Sequence, residues 1–121
     1  MNILIAEDDP TLKMLIGRLM KKIGVEFHMV DNGLALVDEF LVNPGYDLIV
    51  SDFNMPQMSG LEAIYRIKKC HDVPAVIVTG TDISDVVIQV DGEKVSWTIC
   101  DAIIKKPYDF KDIINCIHGY C

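Results

Sequence analysis

Five short apolar runs, rich in Ile, Leu and Val and spaced by longer amphipathic stretches, constrain this chain more than any other feature. They are NILIA at 2–6, EFHMV at 26–30, YDLIVSD at 46–52, PAVIVTG at 74–80 and DAIIKKP at 101–107. NILIA is continuously rather than alternately hydrophobic, the pattern of a strand covered on both faces. After it, Leu12, Leu15, Ile16, Leu19, Met20 and Ile23 recur at intervals of three and four. This spacing predicts a helix that starts at Pro10, with Asp9 as its N-cap and Gly24 as its stop. Asn32-Gly33 reads as a turn before a second helix with a buried stripe of Leu36, Val37, Phe40 and Leu41. Leu61, Ile64 and Ile67 mark a third helix from about Ser59 to Lys69, and Phe110, Ile113, Ile114 and Ile117 mark the last. Residues 81–100 are ambiguous: DISDVVIQV suits either a helix or an extended run, and DGEK suits a turn. The working expectation there is a short helix near 82–90. Five strands alternating with five helices imply an α/β fold, a parallel sheet covered on both faces.

A chain of 121 residues, half of them hydrophobic, fits a single domain spanning 1–121. Its net charge of -7 and pI of about 4.7 argue against direct binding to nucleic acid, which depends on clustered Lys and Arg. No apolar run reaches the roughly 18 residues that span a bilayer, and the N-terminus enters a strand rather than a signal sequence. A cytoplasmic protein with no membrane partner is therefore expected. Cys70, Cys100, Cys116 and Cys121 contain no CxxC pair and read as reduced. Cys116, His118 and Cys121 cluster near the C-terminus, yet ordinary thiols are the simpler reading than a zinc site. His28, His71 and His118 read as surface or satisfied core residues, and Met55 and Met58 as shapers of a loop. Trp97 suits a partner anchor or a packing role equally well. Met1 stands directly before the first strand, as in a natural N-terminus, and no effector segment follows the last helix. The chain thus reads as a stand-alone unit or as the first domain of a longer protein.

Parallel α/β sheets place ligands at the carboxyl ends of their strands, at the switch point in strand order. That rule gathers Glu7 and Asp8, Asp52, Thr79 and Lys106 on one rim. Converging carboxylates raise one another's pKa unless a cation joins them, and a hard divalent ion such as Mg2+ suits oxygen ligands. Beside such an ion, a carboxylate oxygen of Asp52 can attack a phosphoryl group. The Lys106 ammonium, the Thr79 hydroxyl and backbone N–H groups would then meet the developing charge. Taken singly, Asp52 is a turn former, Thr79 a strand residue and Lys106 a solvated charge. Their coincidence at successive strand ends carries the argument.

The segments ILIAEDD, DLIVSDFNMPQMSG, VIVTG and IIKKP, in this order and covering essentially the whole chain, resemble the receiver domain of two-component response regulators, the CheY-like family. The resemblance implies a flavodoxin-like, doubly wound five-stranded parallel sheet of order 2-1-3-4-5 with about five helices. It implies that Asp52 accepts the phosphoryl group, that Asp8 binds Mg2+ directly and Glu7 through water, and that Asn54 offers its backbone carbonyl to the metal. The Asn54 side chain would influence how long the phosphoryl group survives. Asp9 fits the N-cap and is the alternative ligand. Thr79 corresponds to the switch hydroxyl, and the Lys-Pro step selects Lys106 over Lys105, with a Lys106–Pro107 bond that is often cis in such domains. The implied donor is a histidine kinase or histidine phosphotransfer protein, and the implied reader an output protein or effector domain. Catalysis would extend only to the domain's own phosphorylation and dephosphorylation.

Two features depart from that pattern. Receivers usually carry Tyr or Phe three positions before the lysine, where this chain has Ile103, and the stretch between Thr79 and Lys106 is a few residues longer than usual. Both leave open a receiver-like binding module that works without phosphorylation. A phosphatase of the haloacid-dehalogenase type would also use an aspartate nucleophile and Mg2+. Its second acid, however, falls at Asn54, which cannot transfer the proton.

Overall fold

The computed structural model describes residues 1–106 and 110–119. Among them the chain forms β1 (Asn2–Ala6), α1 (Pro10–Ile23), β2 (Glu26–Val30), α2 (Gly33–Val42), β3 (Leu48–Asp52) and α3 (Gly60–Lys68). It continues with β4 (Ala75–Thr79), β5 (Val87–Val90), β6 (Glu93–Ser96), a 3-10 turn (Trp97–Ile99), β7 (Ala102–Lys105) and α4 (Phe110–Gly119). The five parallel strands lie in the order β2-β1-β3-β4-β7, the order expected, with β7 in the fifth place. β1 pairs with β2 on one side and β3 on the other, so the strand order reverses between β1 and β3. The crevice of such a sheet opens at that reversal, above the ends of β1 and β3.

The pleat divides the core in two. Ile3, Ile5, Leu48, Val50, Val76 and Val78 face Ile16 and Met20 of α1 and Ile113 and Ile117 of α4. Leu4, Ala6, Ile49, Ala75 and Ile77 face the other way, toward Leu36 and Phe40 of α2, Leu61 and Ile64 of α3, and Val90 and Val95 of the β5–β6 pair. Burial on both sides explains why β1, β3 and β4 read as unbroken apolar runs. Helix α1 starts as its cap predicts: the Asp9 carboxylate accepts from the Thr11 N–H at 2.8 Å, and Gly24 ends the helix at φ 75°.

Three local expectations are corrected. Asn32 and Gly33 do not form a free turn: Asn32 caps α2 by accepting from the Ala35 N–H at 2.7 Å, and Gly33 is the first helical residue. Leu41 is not part of the buried stripe but 49 % exposed, because α2 turns that side to solvent. The helix near 82–90 is replaced by an antiparallel hairpin, β5–β6, so the described residues hold four α-helices rather than about five. The physical reason is the turn. Asp91 and Gly92 adopt φ 52° and 84°, both left-handed, and link the paired residues Val90 and Glu93. A two-residue turn with both central φ values positive matches the twist of flanking strands, and the β-branched Val87, Ile88 and Val90 favour extension. The hairpin buries Val90 and Val95 against α3, and Arg66 on α3 bonds Asp91 at 3.2 Å. The possible cis bond before Pro107 and the Cys121 thiol lie outside the described residues.

Candidate functional site

At the carboxyl ends of the strands, charge is buried. Glu7 is 3 % exposed, Asp52 8 % and Thr79 1 %, while Asp8 is open to solvent. Glu7 and Asp52 follow the last apolar residues of β1 and β3 with the same parity as Ile5 and Val50, which turns both toward the α1/α4 face. Lys106, just past β7, shares parity with Ile104 on that face and reaches both acids. Its Nζ lies 3.0 Å from Asp52 Oδ2 and 3.5 Å from Glu7 Oε1. Glu7 also accepts the Asp8 N–H at 3.0 Å and the Asp9 N–H at 3.4 Å.

One ammonium does not balance this group. Glu7, Asp8 and Asp52 each bring a carboxylate oxygen within 4.8 Å of the others. Burial first, and then the charge of Asp52, push the Glu7 carboxyl up to about 7, against the opposing pull of Lys106. Burial alone would lower the Lys106 ammonium, but its bond to Asp52 and the charges of Asp52 and Glu7 outweigh that and hold it above the ordinary lysine value. A set of oxygen donors short of positive charge suits a hard divalent cation, so the residues present fit Mg2+.

Thr79 stands apart. It shares parity with Ala75 and Ile77, on the α2/α3 face, and its Oγ1 donates to the Thr81 carbonyl at 3.0 Å and accepts the Thr81 N–H at 3.1 Å. The structure therefore brings Glu7, Asp8, Asp52 and Lys106 together and places Thr79 behind them, at the same sheet end but engaged with Thr81. Lys105, paired with Thr79 in register, also lies on the Thr79 face. Asn54 is exposed, two residues beyond Asp52 in the β3–α3 loop.

Two further residues shape the site without having been singled out from sequence. Ser51 is fully buried, and its hydroxyl donates to the Asp52 carbonyl at 2.9 Å. Gly60, the first residue of α3, approaches so closely that a Cβ there would lie 2.1 Å from the Asp52 carbonyl oxygen and 2.7 Å from Ser51 Oγ. Its own N–H donates to the Phe53 carbonyl at 2.9 Å, while the Phe53 N–H donates to Val78 at 2.8 Å. Gly60 thus clamps the backbone that carries Asp52. A glycine at the start of an amphipathic helix, where most residues would serve better, was the available signal. Among the other candidates, His71 packs edge-on against Phe40 at 5.2 Å, and Met55 and Met58 pack against the α2/α3-face core.

The family model described as the response regulator receiver domain matches residues 3–118. The chain belongs to this family. Its receiver fold is shared with the response regulator TrrA of Thermotoga maritima in complex with Mg(2+)-BeF, which is 25% identical with a TM-score of 0.84 over 99% of this chain and 98% of that one. It also shares its fold with a chain in the crystal structure of histidine kinase ThkA in complex with TrrA, at 22% identity and a TM-score of 0.80 over 98% of this chain and 97% of that one. In sequence, the receiver is 28% identical over 114 residues to the Transcriptional regulatory protein CpxR homolog of Haemophilus influenzae, a match covering 93% of this chain and 46% of that protein. This receiver spans about half the length of that relative. No helix among the described residues is long and apolar enough to cross a membrane.

Proposed function

We propose that residues 1–121 form one receiver unit whose Asp52 accepts a phosphoryl group from a phosphohistidine on a histidine kinase or phosphotransfer protein. The observation that carries this reading is the buried convergence of Glu7 and Asp52 with Asp8 and a single lysine. An Asp52 carboxylate oxygen attacks phosphorus, the bond from phosphorus to the donor imidazole nitrogen breaks, and that nitrogen keeps the electron pair. The product is an aspartyl phosphate. Lys106, already 3.0 Å from Asp52, is placed to neutralise one phosphoryl oxygen. Glu7, Asp8, Asp52 and the Asn54 carbonyl would hold Mg2+, which supplies charge neutralisation on another oxygen. Ser51 and Gly60 keep the Asp52 backbone in place. Asn54, exposed and without a titrating group, offers no proton relay for turnover on other substrates. The aspartyl phosphate then shifts a two-state equilibrium toward a partner-binding form in the cytoplasm.

The T. maritima pairing of kinase and response regulator supports a protein donor of this kind. An atypical partner surface is favoured by one observation, the hairpin that stands where a helix was expected. Incubation with a phosphorylated histidine kinase and Mg2+, followed by mass spectrometry, tests the assignment. Phosphoryl on Asp52 and none on an Asp52→Asn variant is expected. A variant phosphorylated at the wild-type level would rule Asp52 out.

A further inference from the structure

Each strand of the β5–β6 hairpin has one edge paired and one edge open, because the two form a sheet of their own. Val90 and Glu93 close the two-residue turn and so exchange both backbone bonds, as do Ile88 and Val95, while the alternate pairs Gln89–Lys94 and Val87–Ser96 exchange none. The N–H and C=O groups of Val87 and Gln89 on β5, and of Lys94 and Ser96 on β6, therefore point away from the hairpin. On that side neither Val87 nor Gln89 has a backbone partner among the described residues.

The two open edges are guarded differently. The β6 edge carries the charges of Glu93 and Lys94, and Ser96 leads the chain into the 3-10 turn, its hydroxyl accepting the Thr98 N–H at 3.4 Å. Charge on an edge strand is a device against pairing with another chain. The β5 edge has no such device: residues 86–90, VVIQV, hold neither a charge nor a proline, and Val87 is 58 % exposed. Ile88 and Val90 pack on the core beneath, and the Arg66–Asp91 pair at 3.2 Å ties the turn to α3. The edge is thus held in extended form before anything joins it.

The surroundings of this edge are acidic. Residues 82–93 contain Asp82, Asp85, Asp91 and Glu93, all exposed, and no basic residue. A second copy of the chain would bring the same acids. Antiparallel pairing that uses both Val87 and Gln89 would set Asp85 of one copy opposite Asp91 of the other, and like charges directly opposite are destabilising.

We propose that the outer edge of β5 takes up an extended, basic segment of a partner protein as a third strand of the hairpin sheet. Main-chain bonds to Val87 and Gln89 supply the attachment, and alternate side chains supply the choice of partner. An apolar residue of the incoming strand covers Val87, and Lys or Arg meets Asp85 at one end and the Asp91–Glu93 turn at the other. The edge exists whether or not Asp52 is phosphorylated, so this proposal and the phosphoacceptor reading fail separately.

Amide hydrogen exchange by NMR tests it, with the full chain and a short synthetic peptide in which Val alternates with Lys and Thr. The peptide is expected to slow exchange at Val87 and Gln89 at least tenfold and to leave Ile88 and Val90, already bonded to β6, nearly unchanged. Gln89→Ala is expected to bind as the wild-type protein does, because the side chain takes no part. Gln89→Pro removes one outward N–H and no hairpin bond, and is expected to weaken binding at least tenfold. Replacing each Lys of the peptide with Glu is expected to abolish binding. Unchanged exchange at Val87 and Gln89 in the wild-type protein, a result that needs no variant to fold, would overturn the proposal. So would equal affinity for Gln89→Pro and Gln89→Ala. Slowed exchange of the same two amides at high protein concentration without peptide would make a second copy the occupant and overturn the basic partner.

Discussion

An acid–lysine contact stands at each end of β7, Asp101 with Lys68 before it and Lys106 with Asp52 and Glu7 after it, and the two ends differ in charge balance. At the amino ends, Asp101 accepts both the Lys68 ammonium and the Ala75 N–H at 2.7 Å. Burial alone would raise the Asp101 carboxyl, but Lys68 and that N–H hold it below its usual value. One cation meets one anion, and the pair pins the start of β7 to β4 and α3. At the carboxyl ends, Lys106 serves two buried carboxylates with a third nearby, and Glu7 is pushed up to about 7. The first pair is complete as it stands, whereas the second is short of positive charge. That shortage, rather than the presence of an ion pair, distinguishes a site built to take a cation from one that fastens the fold.

The largest expected effect comes from Gly60→Ala. The added methyl would meet the Asp52 carbonyl at 2.1 Å, and overpacking of that kind costs roughly 2–3 kcal/mol. Urea unfolding should show that loss together with a sharp fall in Mg2+ affinity, whereas Gly45→Ala, in open space, should show neither.

Removing each lysine separates the two ends. Lys106→Met leaves Glu7 and Asp52 buried without a cation, at a cost of about 2 kcal/mol after allowance for partial exposure. Added Mg2+ should restore most of this, because a ligand that binds only the folded state stabilises it. Lys68→Met should cost about 1 kcal/mol, since the pair is partly exposed, and Mg2+ should restore none of it. Thermal melts with and without Mg2+ measure both; equal rescue of the two variants would erase the distinction.

The two acids also predict opposite pH slopes in the metal-free protein. Glu7 is raised from 4.5 to about 7, so between those values the folded state holds a proton that the unfolded state has lost. Its contribution to stability is full below pH 4.5 and falls as pH rises toward 7. Asp101 is lowered, so its contribution is present above the unfolded value of 3.8 and is lost as pH falls through the folded value. Denaturant midpoints measured from pH 3 to 8 should flatten between pH 4.5 and about 7 for Glu7→Gln, and below pH 3.8 for Asp101→Asn. No larger effect than that of Lys68→Met is expected from Asp101→Asn at pH 7, a loss of at most about 1 kcal/mol with Mg2+ binding unchanged.

Much of this arrangement is legible in the sequence. Buried parallel strands read as unbroken apolar runs, so the ends of β1, β3, β4 and β7, and with them Glu7, Asp52, Thr79 and Lys106, fall where the rule for such sheets puts a ligand. What the residues do not declare is which face each strand end presents. The pleat sends Asp52 and Lys106 one way and Thr79 the other, and only the register reveals it. The hairpin was half visible. Asp-Gly flanked by β-branched residues is a strong turn signal, but four-residue strands offer too little length in sequence to outweigh helical spacing, and the packing on α3 that supports the turn is not visible there. Gly60 is hidden for a related reason, because its role is the close approach of a backbone eight residues distant in sequence.

The claim that the rim is short of one cation is tested most directly by calorimetric titration with Mg2+ of the wild-type protein, Asp52→Asn and Asp101→Asn. Saturable single-site binding in the wild-type protein, retained in Asp101→Asn and abolished or weakened at least tenfold in Asp52→Asn, is the predicted result. Absence of saturable binding in the wild-type protein, or equal affinity in all three, would contradict it.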